Sequence, residues 1–324
     1  ARASRSSMTP KAFTVYVTVL AALAYRAYKH RHPVDLPVAP QPEACRWRWS
    51  ALRCSTGCAF RVGGGCKRVS QKPKPSTGAS IDVSRADSLM RKRSVSSCLA
   101  AAEIYEAAAA TGGPATAMLQ LKAADAINCA MRIETNGNIM VLEGTVDTPA
   151  AKKFWAKHGP RSLSLVRAAK KDAALAADAW FAATEMDSFM YSSSAKGIVS
   201  QALTGAGTEF KRLAEVIVNR HEALDSGVGR CYLAGLYNVA PWPIGDKKRA
   251  LQEVLTSLGR HPGSRRNNYY ACMMSLQAGE AAAAVSHCAA AMRARCIGPT
   301  EPDYCAFMTS EVQRLLTLAR ARLA

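Results

Sequence analysis

Apolar positions recur every three to four residues through most of the chain beyond Asp82, the spacing of an amphipathic helix. Strict alternation, which is typical of a half-buried strand, is confined to residues 138–143. Residues 112–114, Gly-Gly-Pro, mark the end of one helix and a favourable start for the next. The pattern predicts an all-α fold, with helices at about residues 88–110, 114–133, 161–190, 208–224 and 229–239 and interruptions at residues 136–138 and near Pro149.

A period of 34 residues near the C-terminus is the most specific pattern. Glycine permits a tight turn, an acidic side chain is favourable where the next helix begins, and a small alanine lets two helices approach closely. These features recur at that offset: Gly245-Asp246 as Gly279-Glu280, Ala250-Leu251 as Ala284-Val285, and Val254 and Ser257 as Cys288 and Ala291. Pro262 closes the first unit. The period predicts stacked helical hairpins of the tetratricopeptide type over residues 83–324.

Two protein families share motifs with this repeat region. Residues 229–263, GRCYLAGLYNVAPWPIGDKKRALQEVLTSLGRHPG, resemble the C-terminal region of the T component of tripartite periplasmic transporters. Residues 265–292, with Gln313-Arg314-Leu315-Leu316 in the last helix, are similar to the regulator of microtubule dynamics family. Members of that family combine degenerate tetratricopeptide repeats with, in some cases, a membrane anchor and mitochondrial association. The resemblance implies a non-catalytic helical-repeat protein.

The positive charge is concentrated at the N-terminus. Residues 1–93 carry 18 basic and 4 acidic side chains, whereas the rest of the chain carries 25 and 20. Residues 1–11 are rich in Arg and Ser and lack acids, and the chain begins at Ala1, so we expect the stub of a cleaved organellar precursor. A mitochondrial inner membrane is the favoured location and a plastid membrane is the alternative.

Residues 12–25 are uncharged and apolar, and cations flank them on both sides. The segment is shorter than the roughly 20 residues that span a bilayer, although neighbouring residues extend its apolar surface. A transmembrane helix is the preferred interpretation of residues 1–32. A membrane-surface helix and a helix packed against a partner's transmembrane segment remain alternatives.

Residues 33–82 are rich in proline and contain the run Gly63-Gly64-Gly65, so they predict an extended basic arm. The aromatic and basic side chains in this arm, predicted to bind a partner, are Trp47, Trp49, Arg46 and Arg48. The cysteines in the arm, Cys45, Cys54, Cys58 and Cys66, lack the close Cys-x-x-Cys spacing of a zinc site. A zinc site is therefore a weak alternative to two disulfides or four free thiols, and no metal site is predicted.

Arg265 and Arg266 begin a helical pattern beside Tyr269, a combination that can bind acidic peptides, phospholipid headgroups or nucleic acid. A solvated helix face with core tyrosines is the competing interpretation. Cys296 and Cys305 flank a turn-rich loop and can close a disulfide in an oxidising compartment. Trp155, Trp180 and Phe181 are expected to pack between helices.

The sequence contains no phosphate-binding loop, dinucleotide fingerprint, His-Glu-x-x-His motif or Gly-x-Ser-x-Gly motif. We therefore expect no catalysis and no cofactor. The leading hypothesis is a membrane-tethered scaffold or accessory subunit that binds protein subunits through the repeat surface and the arm, and lipid through the N-terminal helix. The alternatives are a lipid or small-molecule carrier with a helical cavity and, less favoured, an RNA-associated protein using the basic arm.

Overall fold

The computed structural model describes residues 81–145, 147–197, 205–241 and 244–324. These ranges are almost entirely helical, and the all-α prediction is confirmed. The α-helices are α1 (Val83–Arg91), α2 (Val95–Ala110), α3 (Thr116–Glu134), α4 (Pro149–Ala169), α5 (Ala173–Ala176), α6 (Ala179–Ser194), α7 (Ala206–Arg220), α8 (Val228–Val239), α9 (Lys247–Arg260), α10 (Arg265–Gln277), α11 (Ala281–Arg293) and α12 (Cys305–Ala321). Short 3-10 turns lie at Asn136–Asn138, Leu224–Ser226 and Glu301–Tyr304, and a two-stranded hairpin joins β1 (Met140–Val141) to β2 (Gly144–Thr145).

Short polar side chains cap the starts of many helices by accepting hydrogen bonds from the first-turn amides. Ser94, the residue immediately before α2, forms a reciprocal capping box with Ser97. Asp246 accepts from the Arg249 amide at 3.0 Å and begins α9. Ser264 does the same for α10 through the Asn267 amide, at 3.2 Å. Local sequence therefore sets where these helices begin.

The predicted helix at residues 161–190 is wrong, because two aspartates divide it. Asp172 caps α5 and Asp178 caps α6, so each begins a new helix where the periodicity suggested continuity. The predicted interruptions at residues 136–138 and near Pro149 correspond to the stretch between α3 and α4, but the next helix begins at Pro149 rather than at residue 161. Pro149 occupies the first turn of α4, where its missing N–H costs nothing.

Most helices pack against their neighbours in sequence: α2 against α3, α3 against α4, α4 against α6, α8 against α9 and α10 against α11. Trp155 and Phe181 are buried between these helices, as predicted. Gly159 allows α4 to approach α6 closely, because an added Cβ would lie 2.9 Å from the Ser192 Cα. The result is a series of antiparallel helix pairs, compatible with an α-solenoid.

The 34-residue period coincides with equivalent helices. Helices α9 and α11 begin 34 residues apart, at Lys247 and Ala281. The equivalent positions that both helices bury are Ala250 and Ala284, Val254 and Cys288, and Ser257 and Ala291. The sequence period is thus a period of buried helix positions.

The hairpin between α3 and α4 packs against α10, a helix that lies far from the hairpin in sequence. The Tyr269 hydroxyl donates to the Met140 carbonyl oxygen at 2.6 Å, and Gln277 Nε2 donates to the Leu142 oxygen at 2.9 Å. The predicted strand character at residues 138–143 therefore corresponds to a small hairpin that covers one face of α10.

No helix in the described ranges combines the length and the apolar character needed to cross a bilayer. The apolar segment at residues 12–25 and residues 33–80 of the predicted arm (residues 33–82) lie outside those ranges.

Candidate interaction surface

Two of the three body residues predicted to bind a partner are in the core. Tyr269 is fully buried and Arg266 is 2 % exposed, because α10 is enclosed by α9 and α11, by α12 and by the hairpin. The prediction that Arg266 and Tyr269 offer a cation and an aromatic ring to a partner is therefore wrong. Both side chains hold the helices together instead.

Arg266 fixes the turn that precedes α8. Its Nη1 donates to Asp225 Oδ2 at 2.9 Å and to the Tyr304 hydroxyl at 3.1 Å, and its Nη2 donates to the Asp225 main-chain oxygen. Asp225 has a left-handed backbone, with φ of 43°. The buried ion pair therefore stabilises a conformation that costs energy for a residue with a side chain.

Arg265 is half-buried and also has partners within the chain. Its Nε donates to the Ala294 carbonyl oxygen at 2.9 Å, and its Nη1 donates to Thr309 Oγ1 at 2.6 Å. The guanidinium therefore joins the end of α11 to α12. Arg265 serves as a bridge between helices.

A second buried ionic cluster joins the two ends of the described region. Asp303, whose side chain is fully buried, accepts from Arg132 Nε at 2.9 Å and pairs with Arg93 Nη2 at 2.6 Å. Arg132 Nη1 also contacts Asp187 Oδ2 at 2.6 Å. Burial opposes the charge on Arg132, but the carboxylates of Asp187, Asp125 and Asp303 raise its pKa well above the ordinary value.

The cysteines near the C-terminus lie in pairs. The Cα atoms of Cys296 and Cys305 are 6.0 Å apart, a separation suited to the disulfide that joins them. Cys272 and Cys288 are also bonded, between α10 and α11. Cys98, Cys129 and Cys231 are buried free thiols.

The predicted sites in the arm lie outside the described ranges. They comprise the partner-binding residues Trp47, Trp49, Arg46 and Arg48 and the cysteines Cys45, Cys54, Cys58 and Cys66. Within the described ranges, His, Cys, Asp and Glu side chains form no group of three that could hold a metal ion.

An open depression of about 450 Å³ lies between α8 and α9. It is lined by charged and polar side chains: Arg230, Asp246, Lys248, Arg249, Gln252, Glu253 and Thr256. The Arg249 guanidinium lies 4.3 Å from the centre of the Tyr237 ring. The structure thus forms a cation over an aromatic ring at the start of α9, rather than at α10.

A network of ion pairs positions the depression's charged groups. Arg230 Nη1 lies 2.8 Å from Glu253 Oε2, and Arg230 Nη2 lies 2.9 Å from Glu222 Oε1. Arg249 also approaches Glu253, at 4.0 Å. Lys248, in contrast, is exposed and pairs with no carboxylate of the described residues, so its ammonium is available to an acidic ligand.

The sequence matches no known family model, and no curated protein shows significant similarity to it.

One polar cluster in the core lies between three helices. Asn128, Ser162 and Ser188 form a buried triplet in which Ser162 Oγ donates to Asn128 Oδ1 at 2.8 Å and lies 2.7 Å from Ser188 Oγ. No basic group within this triplet could activate a hydroxyl. The triplet links α3, α4 and α6.

Sequence reasoning missed Arg132, Asp187, Asp225 and Asp303. Arg132 and Asp187 each have a further charged residue two positions away, Glu134 and Glu185, so their local sequence resembles that of ordinary surface positions on a helix. No local pattern distinguishes Asp225 and Asp303, which lie in turns.

Proposed function

We propose that this protein is a non-catalytic scaffold or accessory subunit, tethered to an organellar membrane, that holds partner proteins on a tetratricopeptide-like helical array. The mitochondrial inner membrane is the favoured location. Partners bind through the exposed surface of the array and through the basic arm at residues 33–82.

The observation that carries this proposal is the 34-residue repeat of buried positions. Helices α9 and α11 bury equivalent small residues at Ala250 and Ala284, at the same point after a glycine and an acidic residue. Repeats of this kind build surfaces for recognition. The resemblance to the regulator of microtubule dynamics family points in the same direction, whereas the resemblance to the transporter component supports the carrier alternative.

The depression between α8 and α9 is the proposed docking point on the array for an acidic peptide. Lys248 is exposed, and Arg249 is held in place over Tyr237. A carboxylate that approaches these groups meets two cations, and one of them, Arg249, is already held over Tyr237, which lowers the entropic cost of binding.

A carrier with an apolar cavity is less favoured. The depression is open and lined by charged side chains, which suits a polar peptide better than a lipid tail or an apolar ligand. Purified protein that reproducibly retained one lipid or small ligand would favour the carrier instead.

Alkaline carbonate extraction of the native organelle tests the tether. The full chain is expected in the membrane pellet, and recovery in the soluble fraction would contradict the tether. Lys248→Glu tests the docking point, with Lys196→Glu as a control that reverses an exposed lysine on another surface. The proposal requires that only Lys248→Glu releases a partner that co-purifies with the unchanged protein.

A further inference from the structure

Helix α4 carries an unbroken basic character that the proposed function does not use. Residues 149–171 contain seven Lys and Arg side chains and no Asp or Glu. At about 100° per residue, Lys153, Lys157 and Arg167 fall along one side of the helix, and Lys171 continues the line beyond its end. All four are exposed. The line from Lys153 to Arg167 is about 21 Å long. We call these four residues the α4 stripe.

The cations on either side of the stripe are neutralised, but the stripe is not. Lys152 lies 2.9 Å from Asp147, Arg161 lies 2.7 Å from Glu106, and Lys170 lies 2.7 Å from Glu185. No carboxylate of the described residues forms an ion pair with a member of the stripe. Glu209, on the nearby helix α7, is held by Arg212 at 2.7 Å. Among the described residues, the stripe therefore presents positive charge that no ion pair neutralises.

The opposite side of α4 is fixed in the core, so the stripe has a constant orientation. Trp155, Ser162 and Val166 are fully buried on that side. The exposed residues between the stripe's cations have small side chains: they are Ala156, Pro160 and Ser164. The result is a charged surface without large exposed apolar side chains.

This composition is unsuited to the centre of a protein–protein interface. Such interfaces are enriched in aromatic residues, Met and Arg and depleted in Lys, whereas three of the stripe's four cations are lysines. No large apolar side chain on α4 is exposed, so the helix has nothing to insert into a protein pocket or into hydrocarbon. The stripe instead suits contact with a surface that carries many negative charges spread over its area.

Duplex nucleic acid and an anionic bilayer both present such charge. Four cations bind either one weakly alone, so a stripe of this size works only where a second attachment keeps it close to its target. The proposed function supplies one such attachment, the tether at residues 1–32, and it is to a membrane. We propose that the α4 stripe lies against the headgroups of acidic phospholipids, without insertion, in the membrane to which the chain is tethered. This inference rests on the proposed function.

Lysine footprinting of the full chain tests the contact at the stripe itself. The chain is mixed with neutral phosphatidylcholine vesicles or with vesicles containing roughly 30 % phosphatidylserine, and reactive lysines are acetylated and mapped by mass spectrometry. We expect protection of Lys153, Lys157 and Lys171 only on the phosphatidylserine vesicles, reversed at about 0.5 M salt. Lys247 is an exposed internal control and should react equally on both.

Co-sedimentation of variants measures the energetic effect. The stripe variant is Lys153→Gln, Lys157→Gln, Arg167→Gln and Lys171→Gln. A matched variant with the same change in net charge is Arg220→Gln, Lys247→Gln, Arg293→Gln and Arg320→Gln, all exposed residues. Each cation near an anionic surface contributes about a fivefold factor, so the stripe variant should lose well over tenfold in affinity for phosphatidylserine vesicles. Both variants should bind neutral vesicles equally.

The outcomes separate the possibilities. Equal losses by the two variants, or no protection of the stripe lysines, would overturn the inference. Protection by a short RNA duplex but not by phosphatidylserine would also overturn it, by assigning the stripe to nucleic acid. Carbonate could extract the chain from the native organelle while only the stripe variant loses binding to phosphatidylserine vesicles. That pair of results would refute the tether and leave the stripe's preference for acidic phospholipid intact. Matching circular dichroism spectra of the two variants exclude misfolding.

Discussion

The Tyr269 hydroxyl donates a hydrogen bond to the main-chain oxygen of Met140, 2.6 Å away, although the two residues are separated by 129 positions in sequence. This contact fastens the hairpin after α3 onto a central helix of the C-terminal repeats. It also explains why a tyrosine predicted for a binding surface is inaccessible. The face of α10 that an open array would offer to a ligand is occupied by the chain's own hairpin.

Tyr269→Phe should destabilise the fold by about 1–2 kcal/mol, because the buried Met140 oxygen loses its side-chain donor. Urea unfolding measures the change, and hydrogen exchange of the hairpin amides should become faster. Tyr237→Phe is the matched control, since the buried Tyr237 hydroxyl has no hydrogen-bond partner among the described residues. A Tyr237→Phe variant that lost as much stability as Tyr269→Phe would show that the Met140 contact contributes nothing specific.

Asp303→Asn should cost about 3–5 kcal/mol, because it leaves the buried Arg132 guanidinium with one fewer carboxylate and breaks the link to Arg93. Denaturant unfolding at neutral pH checks the value. Glu143→Gln, which removes a partly exposed carboxylate paired with Arg314, should cost less than about 1 kcal/mol. Similar costs for the two variants would mean that the buried cluster does not connect the two ends of the described region as inferred.

Replacing two helical glycines with alanine should change the stability of the fold in opposite directions. Gly159→Ala places a methyl group 2.9 Å from the Ser192 Cα and should destabilise the fold by about 1–3 kcal/mol. Gly259→Ala meets nothing within 4 Å and should stabilise by up to about 1 kcal/mol. Thermal unfolding of both variants measures the difference, and a neutral Gly159→Ala would place α4 and α6 farther apart than described.

Stability should fall as the pH drops below about 6.5. Burial, assisted by the positive charges of Lys157 and Arg161, lowers the pKa of His158 from its ordinary value of 6.5. The unfolded chain therefore binds the proton before the folded chain does, so acidification favours unfolding until the folded pKa is passed. Burial also lowers the pKa of His287, which adds to the effect.

His158→Phe should reduce this pH dependence, because the remaining ring still packs on Phe154 but cannot take up a proton. The test is the free energy of unfolding at about pH 7.5 and about pH 5.5 for both proteins. An unchanged difference between the two pH values would show that His158 does not contribute.

The helical class and the C-terminal repeat could be predicted because both arise from local periodicity. The burial of Arg266 and Tyr269 could not, because their partners Asp225 and Met140 lie 41 and 129 residues away. A basic residue beside a tyrosine has the same local pattern on a surface as in a core with a distant carboxylate. The division of residues 161–190 was in principle readable, since Asp172 and Asp178 are good caps.

The α4 stripe shows a different limit. Its absence of acids is visible in the sequence, but which of its cations are free depends on Asp147, Glu106 and Glu185, contributed by other segments. Net charge alone therefore does not distinguish a neutralised helix face from one that is available for binding. Only the three-dimensional arrangement separates the four cations that have no ion-pair partner among the described residues from their paired neighbours.

Blue native electrophoresis of mildly solubilised organelle membranes tests the scaffold proposal most directly. The proposal predicts that the 34.7 kDa chain migrates within a much larger assembly, together with partner subunits. Migration as a free monomer of that mass, under conditions that preserve other membrane complexes, would contradict it.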